Sequence, residues 1–524
     1  MTALTSADTR SAHPAQVSAA IARLEHTDGE VEIRETHISW LFLTAERAFK
    51  LKKPLVLDFV DYGTPARRHV MCREEVRLNA RLAPEIYLDV RAVVDTGQEL
   101  RIVDENDPAA VDYLVEMRRY VDRQTLSAGV LDGRLLADVM PAVARVLAEF
   151  HAACPVTTDQ RGAIAVQREL DENLAGLLAL LDTPAVRRRV HRLGAFLRTW
   201  ADRHDDLLRR RGEAGRVREG HGDLRAEHII LTPAISIVDC VEFDAGLRTL
   251  DVADDLAFLV MDLCASGAEA FARQLMAEYR RAGGDCGPDA LVWFFAVHRA
   301  LVRAKVELVR AAQPSAAPRV RADARARANR LLMVAEQCTW HARGGLALVV
   351  CGAPASGKSY VCAALSAGSG LGILSSDVVR KRLAGLPAHA RAPLETYRPE
   401  VNYRTYQELG RLAALAVSRD GVVVVDATFR HGADRAAFAE SFADAAPVWF
   451  VQCLAPARVL AQRAAARDQD PDRLSDASAD IVARERDAFE PLDEVSAAAH
   501  LTLRTDRAPE AVIADLEALL NQRL

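Results

Sequence analysis

Eight residues constrain this chain more than any other feature. Gly352, Ala353, Pro354, Ala355, Ser356, Gly357, Lys358 and Ser359 match the pattern G-x-x-x-x-G-K-S at every fixed position. The apolar run Leu346-Ala-Leu-Val-Val-Cys351 before them reads as a buried strand, and Tyr360-Val-Cys-Ala-Ala-Leu365 after them continues as a helix. A strand that enters a helix through such a turn points backbone N–H groups inward at the positive end of the helix dipole, which suits a phosphate chain. In that arrangement Lys358 reaches the β- and γ-phosphates and Ser359 holds Mg²⁺. The competing reading is a chance Gly-rich turn, and the flanking strand and helix argue against it.

The chain has 524 residues, room for about three packing units. Half of them are apolar, so large cores can form. A net charge of −6 argues against a protein that coats nucleic acid generally, while leaving room for a local basic groove. Nine cysteines are scattered without a C-x-x-C pair, and Cys240, Cys351 and Cys453 sit inside apolar runs. They read as buried free thiols rather than a disulfide framework or a zinc site. Met1 to Arg23 contains Asp8 and Arg10 and no long apolar core, so it is not read as a signal peptide. No stretch approaches the roughly 18 apolar residues of a membrane span. A cytoplasmic protein is expected.

Residues 1–29 are expected to be a loose N-terminal segment. Val31–Arg34, Trp40–Leu43 and Ala48–Lys52 then read as strands, with Thr44–Arg47 as a hairpin turn. Arg67–Leu82 has helical spacing through Met71, Val76, Leu78 and Leu82, and further strands are expected around Leu88–Val94, Leu100–Val103 and Tyr113–Met117. Leu135–Leu208 is mostly helical with breaks near Pro155 and Pro184. Val217–Phe243 returns to loops and short strands, and Leu250–Cys338 is helical again. Arg319–Arg330 reads as an exposed helix face, with a nucleic-acid contact as the weaker alternative. After about residue 340 the pattern becomes strand, phosphate loop and helix, repeated, as in a parallel α/β sheet.

A second chemical centre lies at His221-Gly-Asp-Leu-Arg-Ala-Glu-His228, followed by Ile237-Val-Asp239. Two acids on separate loops suit phosphoryl transfer, one accepting a hydroxyl proton and one holding the metal that bridges the phosphates. The stretch resembles the catalytic loop of aminoglycoside phosphotransferases, relatives of the protein kinases, with its H-G-D-x-x-x-x-N and later I-D. The resemblance implies Asp223 as catalytic base, Asp239 as principal Mg²⁺ ligand, and a mainly structural Asp255 in Asp255-Leu-Ala257. It covers about residues 30–335 and reaches the small lobe. There it implies that Lys50 or Lys52 pairs with the ATP phosphates, that Glu75 (or Glu74) supports that lysine, and that Glu116-Met117 grips adenine. His228 stands where the family has a metal-binding Asn, and Mg²⁺ prefers oxygen ligands. No G-x-G-x-x-G is present in this half. The module is therefore either a working kinase with an altered second metal site or a kinase-shaped module without turnover.

Around the phosphate loop, Ser376-Asp377-Val-Val-Arg380 follows the strand-like Leu371–Leu374. Asp377 there can accept a proton from an acceptor hydroxyl, and Arg380 shares its helical face. Asp377 can also serve as the N-cap of a helix starting at Val378. Val422–Val425 delivers Asp426 toward Mg²⁺, and Ala427 follows it where motor ATPases carry a catalytic Glu. Arg463 and Arg467, one helical turn apart, can close over a triphosphate or form a solvated face. Asp468–Asp480 reads as a lid loop. This order of motifs, over roughly 345–510, resembles small P-loop kinases, with polynucleotide 5′-hydroxyl kinase nearest in arrangement. That resemblance implies that Asp377 activates the acceptor and Arg380 helps hold it.

The expected architecture is α/β and α+β: a bilobal kinase-like domain over 30–338 (small lobe 30–117, large lobe 118–338) followed by a P-loop kinase domain with a parallel sheet over 339–524. Together the two halves resemble the bifunctional aminoglycoside phosphotransferase/ATP-binding proteins. The resemblance implies ATP with Mg²⁺, or Mn²⁺ in its place, and small hydroxylated acceptors; a nucleic-acid end is the less favoured acceptor. The rival expectation is a single active P-loop enzyme regulated by a ligand-sensing first module.

Overall fold

The computed structural model describes residues 12–523 apart from 27–30, 37, 58–59, 158–162, 233, 314–316, 388–389, 391, 444 and 468–487. It divides into two compact units, one of residues 1–162 and 206–287 and one of residues 163–205 and 288–524.

The first unit is built on a six-stranded antiparallel sheet. Its strands are β1 (Glu32–Glu35), β2 (Ser39–Leu43), β3 (Arg47–Lys52), β6 (Tyr87–Asp95), β7 (Leu100–Asp104) and β8 (Ala110–Arg118), in the order β1-β2-β3-β8-β6-β7. A small hairpin, β4 (Val56–Leu57) with β5 (Val60–Asp61), follows β3. Alternation along β3 buries Phe49 and Leu51 on one face and sends Lys50 and Lys52 to the other, the period-2 rule of a strand. Helix α1 (Pro14–Leu24) covers the apolar face with Val17, Ala20 and Ile21. This corrects the expectation of a loose segment over 1–29 for residues 14–24, while residues 1–11 and 27–29 lie outside the described residues. Val17, Ala20 and Ile21 lie at helical spacing, and Pro14 starts the helix where its missing N–H costs nothing. Helix α2 (Pro65–Asn79), capped by Thr64, lies by β6 and β8.

After β8 come α3 (Leu126–Leu131) and α4 (Val139–Ala153), and the chain re-enters this unit within α7 (Asp205–Glu213). Two short ladders follow: β9 (Val217–Glu219) with β12 (Thr249–Asp251), and β10 (Ile229–Ile230) with β11 (Ser236–Ile237). The short helix α8 (Ala245–Arg248) precedes β12, and α9 (Val252–Ala265) and α10 (Glu269–Arg281) close the unit.

The second unit combines four helices with a parallel sheet. The helices are α5 (Ala163–Ala179), α6 (Pro184–Arg203), α11 (Asp289–Ala311) and α12 (Pro318–Ala342). Pro184 begins a helix instead of only ending one, as proline does at a first turn. The sheet contains β13 (Leu346–Cys351), β14 (Ile373–Ser375), β15 (Val422–Asp426), β16 (Val448–Leu454) and β17 (His500–Arg504), all parallel in the order β14-β15-β13-β16-β17. The helices between and after the strands are α13 (Lys358–Ser369), α14 (Ser376–Leu383), α15 (Pro399–Asp420), α16 (Gly432–Phe442), α17 (Ala457–Arg467) and α18 (Pro509–Arg523). β13 is the central strand and is buried along its whole length, which explains its unbroken apolar run. Residues 163–205 and 288–338 share this unit because α18 packs on α6 and Trp340 of α12 enters the sheet's core. Arg192 is ion-paired with Glu517, and Arg343 donates to the Asn521 side chain at 2.5 Å.

Arg319, Arg325 and Arg330 are exposed on α12, while Arg327 pairs with Glu307 at 2.9 Å. All nine cysteines are free and buried. Among the described residues, no helix is long and apolar enough to cross a membrane.

Candidate active sites

In the first unit, β3 delivers two lysines to one carboxylate. Lys50 Nζ donates to Glu75 Oε1 at 2.8 Å, and Lys52 Nζ donates to Glu75 Oε2 at 2.6 Å. The lysines then part company. Lys50 also reaches Asp239 Oδ1 at 3.1 Å, whereas fully buried Lys52 is bound to Glu242, which also accepts from Tyr62 Oη at 2.7 Å. Burial pulls both ammonium groups toward neutrality. Asp239, Glu75 and Glu242 outweigh it for Lys50, and Glu242 with Glu75 does so for Lys52, so both stay charged well above the usual lysine range. Glu74 is elsewhere, bonded to Arg77 and Arg248. Glu116 and Met117 lie inside β8, and the Glu116 carboxylate is held by Arg47 and by Arg91 at 2.9 Å.

The segment beginning at His221 is suspended from Asp255 at the start of α9. Its Oδ2 accepts the His221 N–H at 2.7 Å and its Oδ1 the Gly222 N–H at 3.0 Å. His151 of α4 lies 3.2 Å from the same carboxylate and 2.9 Å from Tyr279 Oη of α10. Burial alone would raise the Asp255 pKa, but the His151 bond, its charge and the loop N–H groups hold it below the carboxylate range. Gly222 has φ +83°, and a Cβ there would stand 2.9 Å from the Leu247 carbonyl, so the loop needs glycine.

Asp223, His228 and Asp239 converge, each offering one ligand atom within 4.8 Å of the others. Asp239 has φ +65°, a conformation that non-glycine residues adopt only when their surroundings enforce it. The enforcing groups come from α2 and its sequel. Tyr87 Oη accepts the Asp239 N–H at 3.2 Å, Asn79 Oδ1 accepts the Cys240 N–H at 2.9 Å, and Arg81 donates to the Glu219 and Gly220 carbonyls at 2.9 and 3.1 Å. The Asp239 side chain is 47% exposed, and the Lys50 ammonium holds it well below the usual carboxylate range. An open, ionised carboxylate on a fixed backbone fits a hard divalent ion. His228 is different. Burial, followed by the nearby Arg225 charge, lowers its pKa to about 4. The ring is therefore neutral, with Nδ1 2.9 Å from the Asp223 carbonyl and Nε2 2.9 Å from Arg225 Nη2. Arg225 also places Nε 3.0 Å from each oxygen of Asp223.

In the second unit, the 352–359 loop leaves the carboxyl end of β13 and enters α13 at Lys358. Gly352 has φ +133°, and a Cβ on it would stand 2.6 Å from the Cys453 carbonyl, so only glycine lets the loop pass β16. Ala355 and Gly357 are left-handed too, at φ +65° and +93°. Lys358 Nζ donates to the Ala353 carbonyl at 2.9 Å, across the loop. Ser359, exposed in the first turn of α13, and Asp426, at the end of β15, offer oxygen donors that suit Mg²⁺.

The parallel register sets Asp426 beside Val350 of β13 and Ser375 of β14. Asp377 follows two residues after Ser375. Burial raises its pKa, Asp426 adds to the rise, and Arg380 and Lys358 oppose it. Asp377 is not an N-cap: α14 starts at Ser376 with Ser375 at the cap, so Asp377 belongs to the first turn. Arg380 is buried, donating to the Thr396 carbonyl at 3.1 Å and to Asn402, with its guanidinium 4.6 Å from the Tyr397 ring. Arg463 donates to the Thr505 carbonyl at 2.6 Å and stands 3.5 Å from the Ala355 carbonyl. Arg467 ends α17, with its side chain outside the described residues, as is the expected lid loop 468–480.

Sequence reasoning missed Arg225, Arg81, Asn79, Tyr87 and His151. The only signal for Arg225 was a cation two residues from Asp223.

Comparison with known proteins agrees with this two-part reading. Residues 40–285 match the model of the phosphotransferase enzyme family, and residues 348–492 match an AAA domain model. An uncharacterized protein of Mycobacterium tuberculosis is 34% identical over 472 residues, covering 87% of this chain and 90% of that protein. Among solved structures, a choline/ethanolamine kinase family protein from Mesorhizobium loti covers 61% of this chain and 97% of its own, at 16% identity and TM-score 0.36. A gluconokinase from Sinorhizobium meliloti covers 34% of this chain and 94% of its own, at 19% identity and TM-score 0.26. Both modules are of kinase type, and the chain belongs to the family, shared with its mycobacterial relative, in which an aminoglycoside-phosphotransferase-like domain precedes a P-loop kinase domain.

Proposed function

We propose that both modules are catalytically active, each moving the γ-phosphoryl group of ATP, as its Mg²⁺ complex, to a hydroxyl of a small acceptor. One observation carries this reading. Each unit gathers a carboxylate suited to accept the hydroxyl proton, a second carboxylate suited to the metal, and a lysine suited to the phosphates. The sets are Asp223, Asp239 and Lys50 in the first unit, and Asp377, Asp426 and Lys358 in the second. In each, the acceptor oxygen bonds to the γ-phosphorus while the bond to the bridging oxygen breaks. ADP departs with that electron pair, and the acceptor proton passes to Asp223 or Asp377.

The acceptor of the first module is a neutral or anionic metabolite in this reading. Three acids near the loop that could recognise a polycationic antibiotic are engaged internally. Glu242 holds Lys52 and Tyr62, Asp244 caps α8, and Asp251 grips Arg211 at 2.7 Å. Nine buried free thiols support a reducing, cytoplasmic setting.

Calorimetric titration of ATP–Mg²⁺ and ATP–Mn²⁺ into wild type, Lys358→Ala and Asp239→Ala tests the proposal. Two sites, each lost in a different variant, are expected. A single site lost only in Lys358→Ala would refute a double kinase and leave the first module a sensor or scaffold.

A further inference from the structure

The convergence of Asp223, His228 and Asp239 has metal-ligand spacing, yet a guanidinium already lies in it. Arg225 Nε is 3.0 Å from both oxygens of Asp223, its Nη2 is 2.9 Å from His228 Nε2, and its Nη1 is bonded to Glu227. A guanidinium only donates, so the 2.9 Å contact from Arg225 Nη2 makes His228 Nε2 an acceptor, and Nδ1, 2.9 Å from the Asp223 carbonyl, is the nitrogen that donates. The only ring nitrogen that could bind an ion is taken. Asp239 remains open, facing Lys50.

A kinase site of this type needs positive charge on both sides of the transferring group, and two divalent ions are the common solution. Here a hard ion fits Asp239, while the seat between Asp223 and His228 holds an arginine. We propose that the first module binds a single divalent ion, at Asp239, and that Arg225 is the fixed cation standing where a second ion would otherwise sit. This rests on the reading of the first module as an ATP-dependent kinase. The assignment accounts for His228 in a position that would otherwise supply an oxygen ligand: an imidazole accepts the arginine N–H and keeps the guanidinium beside Asp223.

Manganese counting tests the proposal on the full chain. Lys358→Ala with Asp426→Asn silences the second module, and Mn²⁺ is titrated in the presence of a non-hydrolysable ATP analogue while free Mn²⁺ is read by electron paramagnetic resonance. One ion per bound nucleotide is expected, rising to two when Arg225→Ala is added, because Asp223 and His228 then face an empty seat. Two ions with Arg225 in place would overturn the proposal, as would one ion both with and without it. If Arg225→Ala fails to fold, judged by circular dichroism, Arg225→Gln of similar length makes the same comparison. Absence of nucleotide binding in the doubly silenced chain would instead sink the kinase reading of the first module, a result distinguishable from a wrong ion count.

Discussion

Lys50 Nζ stands 3.1 Å from Oδ1 of Asp239, while Lys52, two residues along the same strand, points to the same face and never reaches it. The sequence offered these lysines as equals. Of the two, only Lys50 is linked to both Glu75 and the open carboxylate, which is why the proposed function gives it, rather than Lys52, the nucleotide phosphate.

The two lysines should therefore fail differently. Lys50→Ala should lower first-module transfer by about 10²–10³, as for loss of a key electrostatic group, with little change in melting. Lys52→Met should leave Glu242 buried with Tyr62 as its remaining hydrogen-bond donor and destabilise the fold by about 3–5 kcal/mol. Denaturant unfolding alongside steady-state kinetics separates the two. Equal effects on both readouts would contradict the division of labour.

Arg81 ties the end of α2 to the backbone just before His221 and to the Cys240 thiol just after Asp239. It touches no reacting atom, so Arg81→Met should act through position. A loss of about 10² in kcat is expected, with KM for nucleotide within a few-fold, since small misplacements carry costs of that size. A large rise in KM with kcat unchanged would show that the segment serves binding instead.

For the second module, Lys358→Ala should cost about 10²–10³ in rate. Asp377→Asn should cost about 10²–10⁴ while sparing ATP affinity. Single-turnover rates against nucleotide affinity make the test, and unchanged transfer by Lys358→Ala would remove the 352–359 loop from the mechanism.

Stability should depend on pH through His298 of α11. Burial, with Arg299 and Lys305 nearby, lowers its pKa to about 3 from the ordinary 6.5. Between those values the unfolded chain binds a proton that the folded chain refuses. This contribution is complete above pH 6.5 and is lost as pH falls toward 3, at up to about 1.4 kcal/mol per pH unit. Urea midpoints at pH 7, 6 and 5 should fall more steeply for wild type than for His298→Phe, and parallel lines would refute the assignment.

Much of this was legible in the residues. Strand alternation placed Lys50 and Lys52 on one face, opposite Phe49 and Leu51, and the eight-residue loop announced a parallel sheet because no other local geometry uses those glycines. Asp223, Asp239, Asp377 and Asp426 stood out because acids beside strand-like runs have few structural reasons to be there. Helix α1 was missed because its Ser- and Ala-rich surroundings hide three core positions. The sharing of one compact unit by residues 163–205 and 288–338 with the parallel sheet was not legible either, since pairs such as Arg192 with Glu517 join residues over three hundred positions apart.

The sequence by itself determined the two kinase-type modules and their order, and it put forward the acids and lysines proposed for each, because motif spacing and hydrophobic period are local properties of the chain. Which lysine meets Asp239, that Asp255 and Arg81 suspend the loop, and that Arg225 occupies the seat beside His228 were decided only by the tertiary structure. Those choices depend on how far apart charged groups lie after burial, and burial in a low dielectric is what turns a nearby charge into a controlling one.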